Sequence, residues 1–256
     1  MKMRPFEPGM ERARALYRIP PVTTPGKTLE VCLEGQSLLR EADWPGEKRS
    51  ICVLHRSNAT LPETRPSNSD SNVTIHHATL RGNLPYGKNT FDRIILHGTL
   101  DQLPLLAETD NPISSAERFI ARLIALLASE GILAGCVQNR LSIKNVLRRA
   151  AWRFKKFAGM TPPTHNCPLS AFSCHRVAEQ AGLINIRMFG LVPNRDAPIR
   201  AFQIEPKLSR SIAKRQLLGL KPPLVSRHHY AIRHLLAETG IGHLVDESIF
   251  FWGKKP

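Results

Sequence analysis

One stretch of this chain, from Leu84 to His97, constrains the fold more than any other. A Leu-Pro pair leads into a short polar loop, Phe91 and Asp92 follow, and an apolar run then ends in His97. The run Arg93–Leu96 has the length and the β-branched content that are typical of a buried strand. The sequence therefore predicts a strong strand at this point, preceded by a loop.

A helix and a second buried strand come later in the chain. Residues 114–129 form the clearest helix, since Ser114 or Ser115 caps its first turn and a broad apolar face runs along it. Ile132–Val137 is again a buried strand. The remaining strand candidates are residues 28–33, 50–55, 73–76, 183–189 and 199–204. Strands that alternate with helices predict a doubly wound, mostly parallel α/β sheet, and the last two candidates predict a C-terminal antiparallel hairpin.

The 256 residues are enough for one large domain with extensions. We expect residues 1–27 to form an N-terminal extension, residues 28–205 to form the domain, and residues 206–256 to form a basic extension with one or two helices, packed on the domain. Ligands of such sheets lie at the carboxyl ends of the strands. The segments that this rule gathers around one crevice are Leu33–Gly35, His55–Arg56, Leu84–Pro85 and His97.

Charge points to an anionic partner. The chain has a net charge of +15 and a sequence pI near 10.2, which favours nucleic acid, an anionic membrane surface or an acidic substrate. The first residues lack the apolar core of a signal peptide, no apolar run reaches the length of a membrane span, and the five cysteines are an odd number. We therefore expect a cytoplasmic protein.

Two segments carry a resemblance to a known family. Residues 84–103 contain the Leu-Pro, Phe-Asp and apolar pattern, and residues 119–140 contain a helix, a Ser-Glu-Gly turn and a strand. Together they resemble the middle of a class I S-adenosylmethionine-dependent methyltransferase domain. The resemblance covers roughly residues 28–205. It implies a Rossmann-like fold, a methyltransferase activity and S-adenosylmethionine as cofactor.

The first strand departs from that family's pattern. A typical member has an acidic residue followed by Gly-x-Gly-x-Gly, and here Glu30 matches the acidic position while Cys32, Glu34 and Gln36 stand where the glycines would be. Gly35 is out of register. Those glycines let the backbone approach the cofactor, so side chains there reduce the space for it. The positions that the resemblance assigns to the cofactor are Glu30, Cys32, Glu34, Gly35, His55, Leu84 and Pro85.

Two further recognition elements are altered. The family usually ends its second strand with an acid that accepts both ribose hydroxyls, but here the strand ends at His55, and His55 or Asn58 makes only one such bond. Between Asn72 and Phe91 there is no Asp or Glu to read an adenine amino group. Three altered elements together favour a weakened or lost cofactor site.

His97 is the candidate catalytic residue. It ends the strong strand, and an imidazole is suited to act as a general base near neutral pH. The alternative is a strand-end histidine that is bonded to nearby backbone. We predict no metal site, since the spacing of Cys167, Cys174 and the histidines beside them is not that of a zinc site.

The segment Arg140–Lys156 has seven basic residues, no acidic residue and interleaved aromatic residues. As a helix it could bind an anionic membrane surface or the phosphates of nucleic acid. The alternative is a helix that packs on the sheet with its apolar side and leaves its basic side in solvent. Two functions stay open. One is a methyltransferase acting on a small or lipid-linked anionic substrate. The other is an inactive methyltransferase-like scaffold that uses its basic surface on a membrane, a partner protein or nucleic acid, with a place at the inner face of a membrane.

Overall fold

The fold is taken from a computed structural model of the chain. It describes the ranges 26–33, 48–55, 65–66, 73–79, 84–101, 112–142, 169–192, 200–204, 215–217 and 248–256, together with Tyr17, Pro20, Leu103, Asn145, Val146 and Pro198. Within these residues no helix is long and apolar enough to cross a membrane.

The described elements are ten strands and two helices. The strands are β1 (Lys27–Leu33), β2 (Lys48–His55), β3 (Arg65–Pro66), β4 (Val73–Thr79), β5 (Phe91–His97), β6 (Leu127–Gln138), β7 (Ile184–Val192), β8 (Arg200–Ile204), β9 (Arg215–Leu217) and β10 (Ser248–Lys254). The helices are α1 (Pro112–Leu126) and α2 (Ala171–Gln180).

All ten strands form one sheet in the order β3-β4-β2-β1-β5-β6-β10-β7-β8-β9. Strands β4, β2, β1, β5 and β6 pair in parallel. β10 is antiparallel to both of its neighbours, and β8 is antiparallel to β7. The prediction of a mostly parallel, doubly wound α/β sheet with antiparallel strands near its C-terminal end is confirmed.

The place of β10 changes the picture of the C-terminal extension. The sequence interpretation put residues 206–256 outside the sheet, yet Ser248–Lys254 is an interior strand between β6 and β7. Phe251 lies opposite Gly135 of β6, and a β-carbon at Gly135 would come within 2.6 Å of the Phe251 ring. Glycine is therefore required there for the two strands to pack this closely. The rest of the predicted division into domain and extensions stays a prediction.

The two faces of the sheet have separate cores. In what we call the helix face, side chains of the sheet pack with α1 and α2, and its members include Leu29, Val31, Ile94, Leu96, Leu133, Val137 and Phe251. In the Tyr17 face, the opposite side chains pack around Tyr17, and its members include Cys32, Ile51, Val53, Ile95, Ala134, Cys136 and Phe250. The alternation of neighbours such as Val31 and Cys32 between the two lists is that of a strand buried on both sides.

The two helices begin at recognisable signals. α1 starts at Pro112, and proline is favoured in the first turn because its missing N–H is not needed there. It ends at Leu126, earlier than the predicted Ser129, because Leu127 already pairs with Phe91 of β5. α2 is capped by Ser170 and Ser173, whose side chains bond reciprocally to each other's backbone N–H.

Candidate crevice at the carboxyl edge of the sheet

The direction of winding changes at β1. β1 pairs with β2 on one side and with β5 on the other, so the chain first builds the sheet outward through β2 and β4 and then returns to the far side of β1. In open α/β sheets a crevice opens beyond the carboxyl ends of the strands at such a point. The carboxyl ends of β1 and β5 therefore define the candidate site.

A tight turn closes the end of β5. Gly98 has a φ of 71°, a backbone conformation that favours glycine, and its N–H donates to the Cys136 carbonyl at 3.0 Å. The next residue, Thr99, is buried, and its hydroxyl donates to the Val31 carbonyl at 2.7 Å. The turn thus ties β5 to both of its neighbours just beyond His97.

Tyr17 reaches this turn from a part of the chain eighty residues earlier. Its side chain is buried, its hydroxyl lies 3.1 Å from Nδ1 of His97, and it donates to the Leu96 carbonyl at 3.2 Å. Its ring also meets the rings of His97 and Phe250 edge to face. The end of β5 is therefore held by an aromatic side chain of the predicted N-terminal extension.

The end of β6 is tied down by polar side chains. Asp101 accepts the Gln138 N–H at 2.9 Å, which joins the segment after β5 to β6. The buried Asn139 accepts the Leu141 N–H through Oδ1 at 3.1 Å, and its carbonyl accepts Nδ2 of Asn145 at 2.7 Å. Such buried side-chain bonds fix the course of the backbone where it leaves the sheet.

Comparisons with known proteins rest on structure. No protein-family model matches the sequence, and no curated protein matches it significantly. Among solved structures, an S-adenosylmethionine-dependent methyltransferase from Archaeoglobus fulgidus superimposes with a TM-score of 0.54 at 11% identity, covering 96% of this chain and 93% of that chain. The chain has a class I methyltransferase-like fold.

A second neighbour of this methyltransferase-like fold is phosphoethanolamine N-methyltransferase 2 from Haemonchus contortus, with a TM-score of 0.51 at 12% identity. The match covers 96% of this chain and 53% of that one, so the chain spans about half the length of the Haemonchus protein. One structure of that protein contains phosphomonomethylethanolamine and S-adenosylhomocysteine, and another contains S-adenosyl-L-methionine.

Two predicted cofactor residues, Glu30 and Cys32, lie within the methyltransferase-like sheet. Glu30 is fully buried between Ile51 of β2 and Ile95 of β5. Cys32 is buried in the Tyr17 face. The thiol at the first glycine position of the family's motif therefore packs in the core of the Tyr17 face.

Leu84 and Pro85 lie on the loop before β5. Leu84 is half-buried against the helix face, and Pro85 is exposed. The loop then turns against the end of α1, where the N–H groups of Asn89 and Thr90 donate to carbonyls of that helix. The contacts that the structure gives this loop are thus with the helix face and α1, and a role beside the cofactor stays a prediction.

Some predicted positions lie outside what the structure describes. Glu34 and Gly35 are among them, and so is most of Arg140–Lys156. Of His55 the structure gives the backbone, as the last residue of β2. Their predicted roles stay predictions.

Sequence reasoning missed Tyr17, Thr99 and Asp101. Tyr17 stands in a basic, proline-punctuated segment, and nothing in its local pattern says that it packs on β5. Thr99 and Asp101 come shortly after the predicted strand. The signal available in the sequence was this pair of polar residues, separated by one residue, just beyond the end of a strand, where ligands of such sheets bind.

The four described cysteines are buried and form no disulfide bond with one another, and none of them lies exposed at the crevice. Burial raises the pKa of the Cys52 thiol to about 12, and it raises the pKa of Cys174 as well. A buried thiol that keeps its proton is a poor nucleophile. Cys52 and Cys174 therefore act as small apolar side chains of the helix face.

Proposed function

We propose that this chain is a methyltransferase-like protein that binds S-adenosylmethionine at the crevice between the carboxyl ends of β1 and β5. The observation that carries the proposal is the sheet itself, with the change of winding at β1 and the antiparallel β10 between β6 and β7. The Haemonchus neighbour contains this cofactor in the same type of fold. The burial of Cys32 supports the fit, because the side chain at one of the three altered glycine positions is packed in the core of the Tyr17 face.

The described residues suit the demands of methyl transfer. A bound sulfonium supplies an activated methyl group, and the protein's part is to align the substrate and to exclude water. Thr99 and Gly98 fix the backbone at the ends of β1 and β5. His97 stands at that point and is proposed to take the proton that the methylated atom loses, with S-adenosylhomocysteine as the other product.

An anionic substrate, small or lipid-linked, is the class we propose. The support is the net charge of +15, which attracts anions to the surface of the protein. The Haemonchus neighbour, whose structure is a complex with the phosphate-bearing compound phosphomonomethylethanolamine, also supports this class.

Calorimetric titration with S-adenosylmethionine and S-adenosylhomocysteine tests the proposal. We expect saturable binding at micromolar concentrations, and His97→Gln should keep binding and lose turnover. His76→Gln is the matched control, since His76 is a half-buried histidine of β4 with an edge-to-face contact to Tyr86. If neither compound binds at millimolar concentrations, the proposal that the chain is a methyltransferase is rejected.

A second candidate function is an inactive methyltransferase-like scaffold. The observation in its favour is that His97, the candidate catalytic residue, has a buried side chain. The segment Arg140–Lys156 is described at residues 140–142, 145 and 146. Two of these, Arg140 and Val146, are exposed, which suits binding to an anionic membrane surface. Sedimentation with anionic but not with neutral vesicles, together with no cofactor binding, would support this function.

A further inference from the structure

The contacts of the Tyr17 hydroxyl with Leu96 and His97 indicate which ring nitrogen of His97 carries a proton. One hydroxyl oxygen, that of Tyr17, lies 3.2 Å from the Leu96 carbonyl oxygen and 3.1 Å from Nδ1 of His97. A tyrosine hydroxyl has a single proton to donate, whereas its oxygen also accepts. The two neighbours differ, because a carbonyl oxygen only accepts and an imidazole nitrogen either donates or accepts.

Only one arrangement makes both contacts hydrogen bonds. If Tyr17 donated to Nδ1 of His97, its oxygen and the Leu96 carbonyl oxygen would face each other without a proton between them. If Tyr17 donates to Leu96, its oxygen can accept the proton of Nδ1. Both contacts have the lengths of long hydrogen bonds, and Tyr17 and Leu96 are fully buried, where an unmade bond is costly.

We infer that Tyr17 is a positioning residue that holds neutral His97 in the tautomer with its proton on Nδ1. The acceptor lone pair of the ring is then on Nε2, the nitrogen that does not face Tyr17. The ring of Tyr17 also orients the His97 ring, since the two rings meet edge to face with a centroid distance of 6.1 Å and an interplanar angle of 69°. Phe250 supports Tyr17 from β10 at 5.5 Å.

This inference deepens the proposed function, because a base of fixed tautomer presents the same nitrogen to every substrate. A methyltransferase that uses His97 would take the substrate's proton on Nε2. Tyr17 would act through His97 and would not itself contact the reacting atoms.

Nitrogen NMR on the full chain tests the inference without any cofactor. The chain is labelled with ¹⁵N-histidine, and long-range ¹H–¹⁵N correlations are recorded at about pH 8, where imidazoles are neutral. His97 is one of ten histidines, so its signals are assigned by their loss in His97→Gln. We expect a pyrrole-type signal for Nδ1 and a pyridine-type signal for Nε2. The reverse pattern in the wild-type protein would overturn the inference.

Two variants separate positioning from packing. Tyr17→Phe keeps the ring on Phe250 and removes the hydroxyl, and we expect the tautomer ratio of His97 to move about tenfold, which corresponds to one hydrogen bond. Tyr86→Phe is the matched control, since Tyr86 is a partly buried tyrosine on the helix face, and it should leave the His97 signals unchanged. An unchanged ratio in Tyr17→Phe would also overturn the inference. If that variant fails to fold, the wild-type spectrum still decides.

The proposed function and this inference fail in distinguishable ways. Absence of cofactor binding in the calorimeter would reject the proposed methyltransferase function. It would not affect the His97 tautomer, which NMR measures without cofactor. If the enzyme is active, Tyr17→Phe should lower kcat and leave the KM for S-adenosylmethionine unchanged.

Discussion

The two faces of the sheet use different chemistry to bury the same strands. On β1, the helix face receives Leu29 and Val31, whereas the Tyr17 face receives Thr28, Glu30 and Cys32. On the same side as Glu30, Arg49 of β2 and Arg93 of β5 flank Thr28 and are also buried. The helix face is therefore an apolar core, and the Tyr17 face contains charged groups as well.

Because of this difference, we expect substitutions on the two faces to affect different properties of the protein. Apolar burial stabilises the fold without specifying a ligand, whereas a buried charge is costly unless it is bonded, and Glu30, Arg49 and Arg93 all have bonding or charge interactions. The groups of greatest chemical interest, His97 and Tyr17, also lie on the Tyr17 face. We therefore expect changes at the fully buried apolar residues of the helix face to act on stability alone, and changes on the Tyr17 face to act on both stability and function.

The largest effect is expected at Phe251, in the centre of the helix face. Phe251→Ala leaves a cavity against β6 and should lower the free energy of unfolding by about 3–5 kcal/mol, as measured by urea denaturation. Lys254→Ala is the control at the rim of the same strand, where an ion pair with Glu130 at 3.3 Å contributes below about 1 kcal/mol. Equal costs for the two variants would show that β10 is not an interior strand.

A smaller effect is expected at Tyr17. Tyr17→Phe leaves the Leu96 carbonyl and Nδ1 of His97 without the hydroxyl, and it should cost about 1–3 kcal/mol of unfolding free energy. The contrast is Tyr86→Phe on the helix face, where the Cys52 thiol is the hydroxyl's neighbour, so that removal should be nearly neutral. A neutral Tyr17→Phe would contradict the role of this hydroxyl.

The smallest effect is the loss of stability between pH 9 and about 10 that arises on the helix face. The Cys52 thiol has a pKa raised by burial from 9.0 to about 12, so above pH 9 the unfolded chain loses a proton that the folded chain keeps. Stability is then full below pH 9 and falls toward pH 12, by about 1.4 kcal/mol per pH unit for this group.

Cys52→Val checks this by urea denaturation at two pH values, 9 and about 10. The variant should lose less stability between them than the wild-type protein. Identical losses would contradict the assignment to Cys52. The pKa values of Cys174 and Tyr86 are also raised by burial, so part of the alkaline loss should remain in the variant.

Much of the fold could be predicted because its strands are locally apolar. Ile51–Leu54, Arg93–Leu96 and Ile132–Val137 each stand between polar segments, and all three are interior strands of the sheet. The helix α1 has a clear apolar periodicity. The prediction of parallel order followed from their alternation.

The insertion of β10 could not be predicted in the same way. Ser248–Lys254 is as apolar as β5, but its partners β6 and β7 lie far away in the sequence, and periodicity within a segment does not select partners. Tyr17 was missed for the same reason, since its contact with His97 spans eighty residues. His97 itself was predicted because a strand end marks the carboxyl edge, where ligands of such sheets bind.

The most direct test of the central claim is to map where S-adenosylhomocysteine meets the protein. In an NMR titration of the ¹⁵N-labelled chain, we predict that the amide signals of Val31, Gly98 and Thr99 move, because they lie where β1 and β5 end. The amides of Arg187 and Gln203, on β7 and β8, should stay in place. No shifts at all, or shifts confined to β7 and β8, would contradict a cofactor crevice at the change of winding.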